Sequence, residues 1–177
     1  MPGRVGALEA HHRVRLEELL QATGVFSESE RAVALELFDE GVSGTVQTGG
    51  SGSDTSYHLI GWFENDQMVG YACYGLSPAT DATYDLYWIA VDPAFHGRGV
   101  GASLLHTIES RLSEKGDALV VIETSSRREY DGTRRFYERR GYEQAARVRG
   151  FYSAGDDRLT YIKRIPQATG ATGGSST

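Results

Sequence analysis

Residues 92–105 read "DPAFHGRGVGASLL". Gly97, Gly99 and Gly101 alternate between an apolar segment that suits a strand, "TYDLYWIAV" (83–91), and one that suits a helix. In the helical segment Leu104, Leu105, Ile108 and Leu112 recur on one face, and Gly116 ends it. Glycine at this density removes side chains where something must approach the backbone. A P-loop needs Lys and Ser/Thr after its last glycine, whereas this chain continues Ala102-Ser103-Leu104. Gly97, Gly99 and Ala102 do satisfy the G-x-G-x-x-G/A dinucleotide fingerprint, with Glu123 about 20 residues further on. Against it, "DPAFH" separates the strand from the first glycine. Only about 50 residues follow Glu123, too few for the rest of a doubly wound sheet. The remaining functional reading is an anion site made by exposed N–H groups at a helix N-terminus, favoured by the helix dipole, with Arg98 adding a full charge. A tight strand-to-helix connection is the purely structural alternative, although one glycine would serve it.

Upstream, residues 4–10 suit a short first strand. "HHRVRLEELLQATG" (11–24) carries Leu16, Leu19 and Leu20 at helical spacing and stops near Gly24. "SESERAVALELFDEG" (27–41) opens with Ser27 and Glu30 in capping-box spacing, with Val33, Leu37 and neighbouring alanines as its expected apolar face. Residues 43–56 are rich in Gly, Ser and Thr and read as a loop, either a disordered insertion or a lid over a ligand. "YHLIGWFE" and "MVGYACYGL" form a hairpin through Asn65-Asp66. Downstream, "ALVVIET" (118–124) suits a central strand covered on both faces. "DGTRRFYERRG" (131–141) suits a short helix capped by Gly141, and "AARVRGFY" and "RLTYIKRI" a closing hairpin around "SAGDD". Residues 1–165 are expected to form one domain and residues 166–177, "PQATGATGGSST", a disordered tail.

Bulk properties narrow the function classes. The 177 residues are 40% apolar and 24% charged, with a net charge of -6. That is one globular domain's worth of chain and a poor nucleic-acid binder by default. The single cysteine, Cys73, excludes a disulfide framework and a Cys-rich zinc site, and both Cys73 and Met68 read as packing residues. His11, His12, His58 and His106 share no metal-ligand spacing, so no metal is expected. The N-terminus lacks a signal-peptide core, and no apolar run approaches the roughly 18 residues of a membrane span. The expectation is a cytoplasmic protein that binds neither membrane nor nucleic acid.

"IAVDPAFHGRGVGASLL" resembles the acetyl-CoA-binding motif of the GNAT superfamily of N-acetyltransferases, whose core is Arg/Gln-x-x-Gly-x-Gly/Ala. "TRRFYERRGYE" resembles that superfamily's second signature, an aromatic-Tyr-Glu-x-x-Gly-aromatic run on its last helix. The order of elements matches as well, over roughly residues 4–165. "TYDLYWIAVDP", "ETSSR" and "GFYSAGDD" are similar, more distantly, to a bacterial and archaeal subgroup of generic N-acetyltransferases. The resemblance implies an α/β (α+β) fold: a mixed sheet with an antiparallel first half, helices on both faces, and a splay between the fourth and fifth strands. It implies transfer of an acetyl group from acetyl-CoA to a primary amine by direct attack in a ternary complex, without metal or covalent intermediate. The acceptor is not identified. The acidic charge mildly favours a small cationic amine over a protein, and a homodimer is possible. His96 stands where the family has Arg or Gln, and Tyr130 where many relatives carry Asn.

Residue by residue, the resemblance places pantetheine beside Ile89, Ala90 and Val91, with the Ile89 N–H facing the thioester carbonyl. Arg98, Gly99, Val100 and Gly101 would cradle the pyrophosphate. His96, Gly97, Ala102, Thr133, Phe136 and Tyr137 complete the expected cofactor set. Tyr137 aligns with the thiolate-protonating tyrosine. Its pKa of ~10 suits that role, and it is otherwise an aromatic packing the last helix, where Phe136 is the better core candidate. Asp85 lies six residues before Val91, where many relatives place a general base, and strand alternation puts it with Tyr87, Ile89 and Val91. A solvated strand carboxylate is the alternative for Asp85, and Glu123 is the rival base. Residues 127–140 hold six Arg against Asp/Glu at three positions, an excess that suits the adenosine 3′-phosphate or a solvated helix face. A non-catalytic acyl-CoA-binding sensor or interaction domain is the alternative function.

Overall fold

The computed structural model describes residues 3–43 and 57–169. The chain runs β1 (Arg4–Gly6), α1 (Arg13–Thr23), α2 (Glu28–Ser43), β2 (Tyr57–Glu64), β3 (Gln67–Leu76) and β4 (Thr83–Val91). It continues with α3 (Val100–Lys115), β5 (Ala118–Ser125), α4 (Asp131–Glu138), β6 (Glu143–Ser153) and β7 (Asp156–Ile165). The strands form one sheet in the order β1-β2-β3-β4-β5-β7-β6. Only β4 and β5 run parallel; the other neighbours are antiparallel. The mixed α/β architecture with an antiparallel first half is therefore as the sequence suggests. The loop or lid expected at 43–56 falls, beyond Ser43, outside the described residues, as does the tail from residue 170.

Local chemistry accounts for the element ends. Asn65 and Asp66 take φ 49 and 62, the left-handed conformations that a two-residue hairpin turn needs. The capping box closes in both directions: the Glu30 N–H donates to Ser27 Oγ (3.2 Å) and the Ser27 N–H to Glu30 Oε2 (2.7 Å). Leu104, Leu105, Ile108 and Leu112 of α3 are at most 1% exposed. They pack on one face of the sheet with Val69, Ala72, Leu86 and Val120. Leu16, Leu19 and Leu20 of α1 and Ala34, Leu35 and Phe38 of α2 cover the other face over Met68, Tyr71 and Cys73. Leu105→Ala should cost about 2–5 kcal/mol of stability, measured by equilibrium denaturation.

Several expectations need correction. Val33 is 46% exposed, and Ala34, Leu35 and Phe38 make the inner face of α2, with Leu37 at its margin. One residue's rotation of a helix is enough to exchange these neighbours. The first strand stops at Gly6. On β5 Ala118, Val120, Ile122 and Thr124 are buried, whereas on the other face Leu119 and Val121 are half-buried, Ser125 is buried and Glu123 is exposed. The start of the expected tail is held on the end of α3. Ser113 Oγ donates to the Pro166 carbonyl (2.9 Å), and the Gln167 N–H donates to Asp117 (2.7 Å).

Two features position the site. Parallel pairing between β4 and β5 lasts only from Thr83–Asp85 against Leu119–Val121, after which the strands part. At the parting β4 bulges: Cys73 faces Trp88 and Tyr74 faces Leu86, which leaves Tyr87 without a partner on β3.

Candidate active site

The parted strands open two cavities that meet at Ile89. The first, about 780 Å³, is a groove between the end of β4, the glycine loop and α4. Of the expected cofactor residues, Ile89, Ala90, Val91, His96, Gly97, Gly99, Val100, Gly101, Ala102, Thr133 and Phe136 line it. The three glycines have two different causes. Gly97 and Gly99 take φ +74 and +82 and face open space, so backbone conformation requires them. A Cβ on Gly101 would stand 3.2 Å from the Phe136 ring, a tight contact, so close packing of α3 against that ring favours the third. The N–H groups of Val100, Gly101 and Ala102 open α3 beside the groove, and the helix's own ladder cannot satisfy them. Arg135 and Arg139 also line the groove, and neither forms an ion pair among the described residues.

Two expected members of this set stand elsewhere. The Arg98 guanidinium pairs with Glu64 at 3.2 Å and lies over the Phe95 ring at 5.0 Å, so its charge is committed away from the groove. Tyr137 lines the second cavity instead. His96 acts as a tie: its Nε2–H donates to the Val91 carbonyl at 2.9 Å and draws the glycine loop back to β4. The other end of this loop is fixed by Asp92, which accepts the Ala94 N–H (3.0 Å) and pairs with Arg15. Burial works to raise the Asp92 pKa, but the Arg15 hydrogen bond and the Ala94 N–H outweigh it and hold the carboxyl below its usual range.

The second cavity, about 490 Å³, lies past a neck formed by Val25, Phe26, Ile89 and Thr133, which line both spaces. Tyr137 is on its wall, 4% exposed, with its ring against Phe136 (5.3 Å between centroids) and Tyr142 (5.8 Å). The expectation that Phe136 is the buried member of the pair is reversed: Phe136 is half-buried under the glycine loop, and Tyr137 enters the core. Among the described residues nothing hydrogen-bonds the Tyr137 hydroxyl. Burial pushes its phenol well above 10, so the proton stays on at any working pH.

The two candidate bases separate. Glu123 lines the second cavity and pairs with Arg158 at 3.3 Å. Asp85 lines neither cavity; it accepts a hydrogen bond from Ser77 Oγ at 2.5 Å. Its expected companionship with Ile89 and Val91 fails because the bulge at Tyr87 resets the alternation. Asp85 pairs with Gly75, on the face of Tyr57 and Tyr87, whereas Ile89 and Val91 pack on the α3 face. Sequence reasoning missed the rest of the cavity wall: Glu30, Ser125, Arg127, Tyr152 and Asp156. Asp156, 7% exposed, accepts from Ser125 Oγ (2.5 Å) and pairs with Arg127 (3.3 Å), although "SAGDD" reads as turn chemistry. Among the described residues no three metal-ligating side chains cluster, and no helix is long and apolar enough to cross a membrane.

A sheet parted where its strands run parallel among the described residues, with a glycine-flanked helix start at one end of the gap and a buried phenol at the other, has the architecture of an acyltransferase. The chain belongs to the acetyltransferase (GNAT) family, whose family model matches residues 14–142. Among solved structures it is similar to a protein from Desulfovibrio desulfuricans described as an acetyltransferase of that family. The two share 39% identity over 93% of this chain and 98% of that one, with a TM-score of 0.81. The ribosomal-protein-S18-alanine N-acetyltransferase of Escherichia coli shares the fold at 20% identity, with 96% and 98% of the two chains covered and a TM-score of 0.70. So does the PaiA N-acetyltransferase of Thermoplasma acidophilum, solved in complex with coenzyme A, at 14% identity, 93% and 99% coverage and a TM-score of 0.66. No curated protein matches the sequence.

Proposed function

We propose that this protein transfers the acetyl group of acetyl-CoA to the primary amine of a small acceptor by direct attack in a ternary complex. The observation that carries the reading is the adjacency of the two cavities, which share Val25, Phe26, Ile89 and Thr133 in their walls. One space has the free N–H groups and arginines that suit a pyrophosphate and a 3′-phosphate; the other holds the phenol and carboxylates that suit proton transfer. The pyrophosphate sits at Gly97–Ala102 and the adenosine 3′-phosphate near Arg135 and Arg139. The pantetheine arm follows the open edge of β4, and the Ile89 N–H donates to the thioester oxygen as it gains charge. A neighbour of the same fold was solved with coenzyme A, which supports coenzyme A as the ligand.

In the reaction the amine nitrogen bonds to the carbonyl carbon and the C–S bond breaks. The amine's proton passes to Glu123, directly or through water, the Tyr137 proton passes to the departing sulfur, and the proton taken by Glu123 returns through solvent to the Tyr137 phenolate. The neutral amine must be recruited from a pool that is mostly protonated at pH 7, which is why a base is needed. Glu30, Glu123 and Asp156 against Arg127 give the acceptor cavity an acidic balance that suits a cationic amine.

Acetyl-CoA at 100 times its dissociation constant should raise stability by about 2.7 kcal/mol, read as a rise in Tm that NAD does not produce. Gly99→Val should abolish that rise. Val is strained at φ +82 by roughly 1–2 kcal/mol, and its side chain would enter the groove. No Tm rise at millimolar acetyl-CoA would refute the cofactor. Thiol release with a panel of primary amines tests turnover, and binding without any release would favour a sensor.

A further inference from the structure

We propose that Tyr130 sets the size of amine that the second cavity admits, by clasping the α1–α2 loop to the start of α4. This rests on the reading of that cavity as the acceptor site. Tyr130 is 7% exposed. Its one O–H faces two acceptors of the facing segment across the cleft, the Val25 carbonyl and Glu30 Oε1, each at 3.3 Å, and is shared between them. The second oxygen of the same Glu30 carboxylate holds the Ser27 N–H at 2.7 Å. One carboxylate therefore joins the loop, the first turn of α2 and the phenol. Burial and the nearby Glu30 carboxylate push the Tyr130 phenol up to about 12, so it remains a donor throughout the working range.

The clasp is part of a belt around the cavity. The Arg127 guanidinium lies over the Tyr130 ring at 5.4 Å and pairs with Asp156, which in turn accepts from Ser125. The belt thus links α2, the end of β5, the start of α4 and the start of β7. Tyr130 is the member that binds it to Val25 of the α1–α2 loop. Val25 and Phe26 of that loop form the neck, and the Phe26 ring sits 5.7 Å from Trp88 of the β4 bulge region. With the clasp made, the space stays near 490 Å³, which is small-molecule size. An extended chain segment would have to displace the loop. A phenylalanine would fill the same volume, so packing alone does not explain a hydroxyl placed between two acceptors.

The test uses Tyr130→Phe, which keeps the ring, with Tm as the check on folding. Trp88 reports the loop directly: acrylamide quenching of its fluorescence in a Trp62→Phe background should rise severalfold when the clasp is lost. In thiol-release assays, the ratio of kcat/KM for a bulky primary amine to that for a small one should rise about tenfold, while the acetyl-CoA KM stays within twofold. Unchanged quenching would overturn the clasp. Increased quenching with an equal loss for all amines would overturn the size role, and a changed acetyl-CoA KM alone would move Tyr130 to the cofactor groove. A wild-type enzyme that turns over no amine overturns the acceptor reading itself, and the quenching arm shows this apart from the clasp.

Discussion

Tyr137→Phe should lower turnover about 10²–10⁴-fold, the range for loss of a positioned general acid, while acetyl-CoA affinity stays within a few-fold. Tyr137 lines the second cavity and its hydroxyl has no hydrogen-bond partner among the described residues, so its removal breaks no hydrogen bond among them. The ring keeps its contacts with Phe136, Tyr142 and Tyr161. Because burial raises the phenol pKa, the acid form persists into the alkaline range, and an alkaline fall in rate should come from another group. Steady-state kinetics at pH 7 with a good amine decide the matter. Near-normal turnover would mean that solvent protonates the thiolate. Lost acetyl-CoA binding would give the hydroxyl a binding role instead.

Glu123→Gln should lower the rate by a similar factor, about 10²–10⁴-fold at neutral pH. The defect should shrink as pH approaches the amine's own pKa, ~10.4 for a lysine-like acceptor, because the amine is then already neutral before attack and hydroxide can take the proton it loses afterwards. Its Arg158 partner is partly solvated, so the broken ion pair should change stability little. Asp85→Asn is the matched control: outside both cavities, it should cost far less. The pH–rate profiles of the two variants distinguish them, and the reverse ranking would place the base at Asp85. A defect of Glu123→Gln that is independent of pH would assign that side chain to acceptor binding.

Much of the fold is legible because each element carries its own local signal. The Ser27–Glu30 capping box, the Asn65-Asp66 turn and the leucine stripe of α3 each depend on neighbours a few residues away. The groove is legible for the same reason, since a helix start and its glycines are contiguous. What stays hidden depends on register. The unpaired Tyr87 shifts every later side chain of β4 to the opposite face, and nothing in "TYDLYWIAV" marks it, because strand alternation offers no sign of an extra residue. Asp85 parts from Ile89 and Val91 on that account. Phe136 and Tyr137 exchange their expected roles because a short helix with both rings adjacent can turn either one inward, and Tyr142 and Tyr161 decide which. The belt joins Glu30, the segment Ser125–Tyr130 and Asp156, three parts of the chain far from one another, so no spacing announces it.

The early parting of β4 and β5 has a bearing on association between molecules. Beyond Asp85, β4 is paired with β3 alone, and its other side is a strand edge in the middle of a sheet. Unpaired edges are templates for foreign strands, and proteins usually blunt them with charge, brevity or irregularity. Here the outer edges are defended in those ways. β1 is three residues long, and β6 carries Arg147 and Arg149 and loses its register between Val148 and Ser153. The inner edge needs none of these defences. It is enclosed by the α1–α2 loop, α4 and the glycine loop, with the Val91 carbonyl already taken by His96. The most adhesive stretch of backbone is thereby screened from other chains by geometry alone.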